Sequence, residues 1–580
     1  MKKINIYIST ILMSGLLLLH TGCNDFLDRD PLDGFTDDTY WTSEANVKTY
    51  GWLFYDQFKA YGIATGTTAE FYFQASNMTS SINISDDLTN NTFLPYQINP
   101  GSANSDWKDQ YEYIRRANVM LERIPEVPME TEAAAHWEGV ARFFRALSYY
   151  KLVQRFGDVP YYDKVIEDPN DVQNIYIPRM DRNEVMQKVW EDITKAIELL
   201  RESDEANSVT KYVALALKAR IGVYEGTYRK YHQSADGSTF LQGAKEADAA
   251  LMTSGKYAIQ MNRDAFKAVY NSEDLGGNSE IILYKNYSLG ILSNSIQAYT
   301  NTSTVGNGMT KAAFESYVCA DGLPISQSPL YEGDNKLEHA LANRDPRLLA
   351  TVDSEGVSFR GSVNSLSRAR KSSTGYVIHL FYDENSSNVT TTGQNTIDAP
   401  IFSYAEVLLN YAEACAELGT ITQNDLDMSV NILRNRVGIT PLTYVSDEVV
   451  MVDGVTINDP KRTSALEQIS GVVPSIIWEI RRERRAELMT WTAIRYYDLM
   501  RWKKGDYLDH TKNPDVALGV KGSALAPDDV ATLNEEGYVY AYPESHRTFD
   551  PEKNYLNAIP TGQIDLYVSE GVSFPQNPGW

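Results

Sequence analysis

Residues 476–502 read IIWEIRRERRAELMTWTAIRYYDLMRW, and the fold class turns on how this stretch is built. It holds no Gly or Pro, so intrinsic preference predicts one long helix. Glu479, Glu483 and Glu487 fall on one stripe at i, i+4 spacing. Arg482 and Arg484 lie three residues from Glu479 and Glu487, and Arg495 and Arg501 lie three either side of Asp498. Ile477, Ile480, Leu488, Trp491, Ile494, Tyr497 and Leu499 supply apolar surface between the charges. Guanidinium and carboxylate in near balance neutralise each other and leave no reactive group free, so the stretch reads as a salt-bridged spine and not as a catalytic carboxylate array.

Around that spine, 580 residues with 43% hydrophobic and 11% aromatic content are enough for a large globular core. A formal net charge of -24 argues against nucleic acid or an anionic membrane surface as partner. Tyrosine outnumbers phenylalanine 38 to 18, which suits half-exposed contact surfaces and amphipathic packing alike. Three cysteines, Cys23, Cys319 and Cys415, make no disulfide framework, and Cys415 sits in a helical apolar pattern as a buried thiol.

Met1 to Cys23 reads as a targeting segment. Lys2 and Lys3 precede the apolar run Ile4 to Leu19, and Thr21-Gly22-Cys23 closes it. A small residue directly before Cys resembles a bacterial lipoprotein signal with Cys23 as the lipid anchor, although His20 departs from the usual leucine; an ordinary secretory signal is the alternative. Asp28, Asp30, Asp33 and Gly34 follow in a polar tether whose broken spacing does not make a calcium loop. No cofactor is expected, and whether a structural calcium binds stays open.

Helical pairs come next. Trp107 to Arg123 and Ala133 to Phe156 form one, with Val140, Phe143, Phe144 and Leu147 as a single buried face. Arg182 to Leu200 and Lys211 to Tyr231 form another, and Leu241 to Met252 starts a further helix. Tyr404 to Leu418 and Asp425 to Val437 precede the spine. Ala141, Ala146, Ala214, Ala219 and Ala412 permit close helix approach. These hairpins look like tetratricopeptide-type units without a strict tandem period. Between Tyr257 and Ile401 the pattern lapses into Gly, Asn, Ser and Thr with short alternating pieces at 280–284 and 376–382. Long irregular blocks on a helical scaffold are where binding sites concentrate.

Metalloprotease, phosphate-loop, nucleophile-elbow and dinucleotide motifs are absent, and no two of the seven histidines lie within a helical turn of each other. Nothing in the sequence favours catalysis. Aromatic rings set among Asn, Asp, Gln or Arg in polar loops join a flat apolar face to hydrogen-bonding groups, so they are the candidate ligand contacts. Phe71, Tyr72, Phe73 and Tyr96 flank the polar run Ser76 to Asn91; Tyr287, Tyr299 and Tyr331 lie in the irregular block near Asn286, Asn294 and Gln297.

Seven motifs in order carry a family resemblance. They are Cys23-x-x-Phe26-Leu27-Asp28, Arg142 to Tyr150 with Phe156 to Pro160, Arg344-Asp-Pro-Arg347, Tyr404 to Leu409, Asn431 to Gly438, Glu479 to Trp502, and the terminal Gln576-Asn-Pro-Gly-Trp580. From end to end the chain resembles the SusD/RagB family of outer-membrane nutrient-binding lipoproteins of Bacteroidetes. Two places depart from the pattern, Ser403 where Arg is usual and Met489 to Thr492 where an acidic-glycine step is usual. The resemblance implies a mostly α-helical SusD-like fold, with tetratricopeptide-like hairpins, long irregular loops and a few short strands. It implies a lipoprotein signal over 1–22, an N-terminal part over 23–235 and a C-terminal part over 236–580, joined in one compact unit. It implies a non-catalytic lipoprotein of the outer membrane facing outward. Such a protein binds oligo- or polysaccharide and hands it to a SusC-like TonB-dependent transporter. A peptide- or glycopeptide-binding RagB-like member is the alternative, and a helical carbohydrate-active enzyme or a protein-binding scaffold ranks below both.

Overall fold

The computed structural model describes residues 40–62, 64–65, 68–69, 85–89, 99–301, 308–353, 358–359, 362–363, 372–383, 385–386, 388–389, 391–491, 494–525, 531–542 and 547–580. The signal segment, Cys23 and the aspartates at 28, 30 and 33 lie outside them.

The first long helix, α1 (Ser105–Arg123), starts where the Asn104 side chain accepts from the Trp107 N–H at 3.1 Å. It packs against α2 (Thr131–Phe156), which packs in turn on α3 (Arg182–Leu199). Next come α4 (Lys211–His232) and α5 (Ser238–Thr253), which pack closely on each other. At that crossing a Cβ on Gly237 would stand 2.1 Å from the Gly226 carbonyl oxygen, so only glycines admit the approach. The expected alanines Ala141, Ala146, Ala214, Ala219 and Ala412 are all fully buried as well. One expectation was too narrow. Besides Val140, Phe143, Phe144 and Leu147, α2 buries Ser148, Tyr149 and Tyr150, because neighbouring elements cover it on more than one side. Each fully buried Leu or Phe here contributes about 1.5–3 kcal/mol of transfer free energy. The helix stops at Gly157, whose φ of 69° few other residues tolerate.

The irregular block holds few strands. β1 (Ile281–Lys285) pairs antiparallel with β2 (Ala399–Ser403), Ile281 opposite Ser403 and Lys285 opposite Ala399. Residues 376–382, which alternate in sequence, form only isolated bridges at Val377 and Ile378. Ser403, where the family pattern has Arg, is the N-cap of α6 (Tyr404–Glu417), its Oγ accepting from the Glu406 N–H at 3.3 Å. The helix expected over Asp425 to Val437 is two pieces, Gln423–Asp427 and α7 (Val430–Val437), parted at the non-helical Ser429. A small meander follows (Thr443–Ser446, Val449–Val452, Val455–Thr456).

The spine breaks into α8 (Ser475–Leu488) and α9 (Ile494–Arg501). Thr490 stands between them at φ 68°, a left-handed conformation rare for a β-branched residue, at the step where the sequence departs from the family pattern. Helix propensity is overridden here by tertiary contacts: Trp491 is buried and donates its indole N–H to the Pro400 carbonyl at 2.8 Å. Beyond α9, β3 (Leu518–Lys521) pairs with β4 (Tyr538–Tyr540). The C-terminal tail then folds back on α2, the Asn577 amide donating to the Phe156 carbonyl at 3.0 Å.

Most of the spine's charges are buried, and most of their partners come from elsewhere. Arg482–Glu479 (3.0 Å) and Arg501–Asp498 (2.9 Å) form as the spacing predicts. Arg484 turns instead to Asp498 at 2.8 Å, and Arg495 to Asp86 at 2.8 Å. Glu483 is held by Arg347 (2.9 Å) and Arg434, and Glu487 by Arg436 (2.6 Å) and Arg347 (3.2 Å). Three motif arginines from two separate segments thus converge on one helix face.

Candidate functional site

Geometry sorts the expected ligand residues. Tyr72, Phe73 and Tyr96, with Phe71, lie outside the described residues, and Tyr299 falls in the helix Ile296–Asn301 with its side chain outside them too. Within the polar run Ser76 to Asn91, the described part is interior. Asp86 and Asp87 are buried and clasp Arg485 at 3.0 and 2.8 Å. Burial raises the Asp86 carboxyl, but Arg485 and Arg495 outweigh it and hold the group near 2. These aspartates brace the gap between α8 and α9 and do not line a sugar loop.

At the β1–β2 end, Asp398 organises the chain. Its carboxylate accepts from the Leu275 N–H (3.0 Å), the Tyr287 N–H (3.0 Å) and the Asn286 amide (3.1 Å). Burial pushes it up to about 6, against the pull of those donors. Tyr287 is only 3% exposed and its hydroxyl donates to the Gly62 carbonyl at 2.8 Å, so its ring offers no open face. Asn294 and Gln297 are interior as well, their amides donating to the carbonyls of Ile397 and Phe381, both at 3.1 Å. Asn286 alone of this group is exposed. Buried backbone must be satisfied, and in an irregular block amide side chains do what a ladder does in a sheet.

Tyr331 belongs to a different neighbourhood. It is half-buried, with the Arg344 guanidinium 5.6 Å from its ring centroid, and burial pushes its hydroxyl up to about 12. Three residues on, Asp334 accepts from the Tyr538 hydroxyl at 2.5 Å and pairs with Lys521 at 3.3 Å, tying this loop to the β3–β4 hairpin. Lys311 and Lys521 lie 5.0 and 5.3 Å from the Tyr538 ring centroid. Tyr540 shares the half-buried face of β4 with Tyr538. Rings, a carboxylate and ammonium groups are thus gathered at a partly open surface, a combination suited to a polyhydroxylated ligand. Sequence reasoning passed over Tyr538 and Tyr540. The alternation Tyr538-Val-Tyr540-Ala-Tyr542 carried the signal, since period two places alternate rings on one face of a strand.

Among the described residues no group of three or more His, Cys, Asp or Glu side chains is placed to hold a metal ion, and no helix is long and apolar enough to cross a membrane.

Helical hairpins locked by buried ion pairs, with aromatic and polar side chains carried on loops and a hairpin, define a binding scaffold. The chain belongs to the SusD family, whose model matches residues 262–580, more than half its length. A second model, described as "Starch-binding associating with outer membrane", matches residues 25–223. Among curated relatives, SusD-like protein P38 of Formosa agariphila is 26% identical over 283 residues, 47% of this chain and 51% of that protein. The chain therefore spans about half the length of that relative. SusD-like protein P2 of the same organism is 22% identical over 83% of this chain and 81% of its own. Solved structures show the same fold. A SusD-like protein of Bacteroides fragilis superposes with a TM-score of 0.69 at 24% identity, covering 95% of this chain and 100% of its own. Surface glycan-binding protein A of Bacteroides fluxus does so at 0.59 and 17%, covering 93% and 100%. Members of the SusD family are non-catalytic binding proteins.

Proposed function

We propose that this protein captures oligo- or polysaccharide at the cell surface and delivers it to a SusC-like TonB-dependent transporter, held to the outer membrane by lipid on Cys23. Membership of the SusD family carries this reading. The names of two structural neighbours, a SusD-like carbohydrate-binding protein of Bacteroides fragilis and the Bacteroides fluxus glycan-binding protein, support it. The loop patch around Tyr331, Asp334 and Tyr538 supplies ring and polar groups of the kind that grip a sugar, and exposed Asn286 is a further contact. Modest affinity suffices for a tethered protein, because anchorage beside the pore raises effective concentration.

The test is calorimetric titration of the purified protein against a panel of plant, host and microbial polysaccharides, with each mixture assayed for cleavage. Binding to one class without cleavage is expected. Tyr331→Ala should then weaken binding by about 5- to 30-fold, the equivalent of roughly 1–2 kcal/mol for one contact ring. Absence of binding across the panel would refute the glycan reading and turn attention to peptides; cleavage would refute a purely capturing role.

A further inference from the structure

A cavity of about 380 Å³, sharing no lining residue with the loop patch, lies where α1, α2, α4 and α9 meet the chain leaving the turn Leu53–Gln57. Its volume falls in the range of small-molecule sites. The wall mixes rings, from Phe58, Tyr113, Tyr150 and Tyr497, with charged side chains, and exposed Lys59 and Ser105 stand at its rim.

The charges are not evenly matched. Each arginine of the wall has a carboxylate: Arg155 has Asp106, Arg220 has Glu406 at 2.6 Å, Arg484 has Asp498 at 2.8 Å, and Arg501 has Asp498 at 2.9 Å and Glu413 at 2.5 Å. Lys151, on the same wall, has none among the described residues. Its ammonium donates once, to the Gln57 carbonyl at 2.9 Å, and among the described residues no carboxylate lies within ion-pair reach. An ammonium carries three donors, so two are left for an occupant. Two amides of the same wall are also unmet: the Gln57 nitrogen and the Gln110 oxygen are buried without a hydrogen-bond partner. An unpaired cation, unmet amides and flanking rings together describe one kind of occupant.

We propose that this cavity is a binding site, separate from the surface patch, for a small hydroxylated carboxylate of the hexuronate kind, its carboxylate seated on Lys151 and its ring against the tyrosines. Half-buried Asp109, which forms no ion pair among the described residues, lines the same space and suits the ligand's hydroxyls. Electrostatics agree with the geometry. Burial first, then the cations Arg155 and Lys59, push Lys151 down to about 7, with Asp106 opposing and Arg220 adding a smaller push. Also on this wall, Glu406 is committed to Arg220, and Asp498 to Arg484 and Arg501. An arriving carboxylate stabilises the charged lysine, so binding takes up a proton above neutral pH and weakens as pH rises through 7.

This inference does not depend on the surface-capture reading, and one experiment separates the two. The purified protein is titrated with sodium glucuronate, glucose and sodium sulfate at pH 6.5 and 8.5. Glucuronate should bind and glucose should not, with affinity falling at least 3-fold between the two pH values. Lys151→Met should lower it at least 10-fold while leaving thermal stability and polysaccharide binding intact; Lys59→Ala, at the exposed rim, should lower it 2- to 5-fold. Tyr331→Ala should leave it unchanged. No glucuronate binding at millimolar concentration, binding of sulfate alone, or glucuronate binding indifferent to Lys151→Met would each overturn the proposal.

Discussion

Arg347→Met should be among the most damaging single changes in this protein. Arg347 is fully buried and touches three carboxylates, Asp345 at 2.7 Å, Glu483 at 2.9 Å and Glu487 at 3.2 Å. After the change Glu483 retains Arg434 and Glu487 retains Arg436. Asp345, itself fully buried, is left with backbone donors only, including the residue 347 N–H at 2.9 Å. Methionine fills most of the volume, so the loss is chiefly an uncompensated buried charge, which costs about 3–5 kcal/mol. That is about a fifth or more of the 5–15 kcal/mol typical of a folded domain. Breaking the exposed pair Lys188–Glu191, at 3.1 Å, should cost under about 1 kcal/mol by comparison. Urea unfolding followed by circular dichroism reads both, and the double variant Asp345→Asn/Arg347→Met supplies the control. Neutralising the orphaned partner should recover about half of the loss or more, giving a coupling of roughly 2 kcal/mol. If Arg347→Met lies within about 1 kcal/mol of wild type, or the double variant is no better than the single, the view of this helix face as a charge-balanced hub is wrong.

Three further outcomes follow from other sites. Glu280, buried beside Arg436 at 3.2 Å, is pushed up to about 7 because burial outweighs its partner. A carboxyl raised on folding adds stability that is full below its unfolded value near 4.5 and is lost as pH rises through 7, so the wild type should gain on Glu280→Gln by about 1–3 kcal/mol between pH 8 and pH 5; a pH-independent difference between the two would contradict this. Gly157→Ala places a Cβ at φ 69° and 2.9 Å from the Leu556 Cδ1, and thermal unfolding should register a loss of about 1–3 kcal/mol. Cys319 and Cys415 are both fully buried, and burial pushes the Cys415 thiol up to about 11. Mass spectrometry after iodoacetamide should therefore find neither alkylated in the native protein and both alkylated in urea.

The candidate site was less legible than the fold. Aromatics in polar loops are a sound place to seek sugar contacts, but loop polarity does not distinguish a side chain facing solvent from one satisfying buried backbone. Asn294 and Gln297 look like ligand groups in sequence and are braces in space. Tyr331 and Tyr538 stand 207 positions apart, and contacts made in the folded chain, from the Tyr538 hydroxyl and Lys521 to Asp334, draw their segments together.

For the helices the sequence went far by itself. Periodicity located α1 to α6 within a few residues, since the 3.6-residue repeat and its glycine and asparagine caps are local properties. The balance of Arg and Glu in residues 476–502 likewise announced a structural element. Tertiary structure alone decided which charge meets which, and where the long helix stops. Arg347, Arg434 and Arg485 reach partners 136, 49 and 398 positions away. Helical spacing ranks only neighbours three or four residues off, while a buried ion takes whichever opposite charge the fold carries into its low-dielectric surroundings. The same holds for Thr490: propensity continues the helix through it, and the burial of Trp491 against β2 ends it.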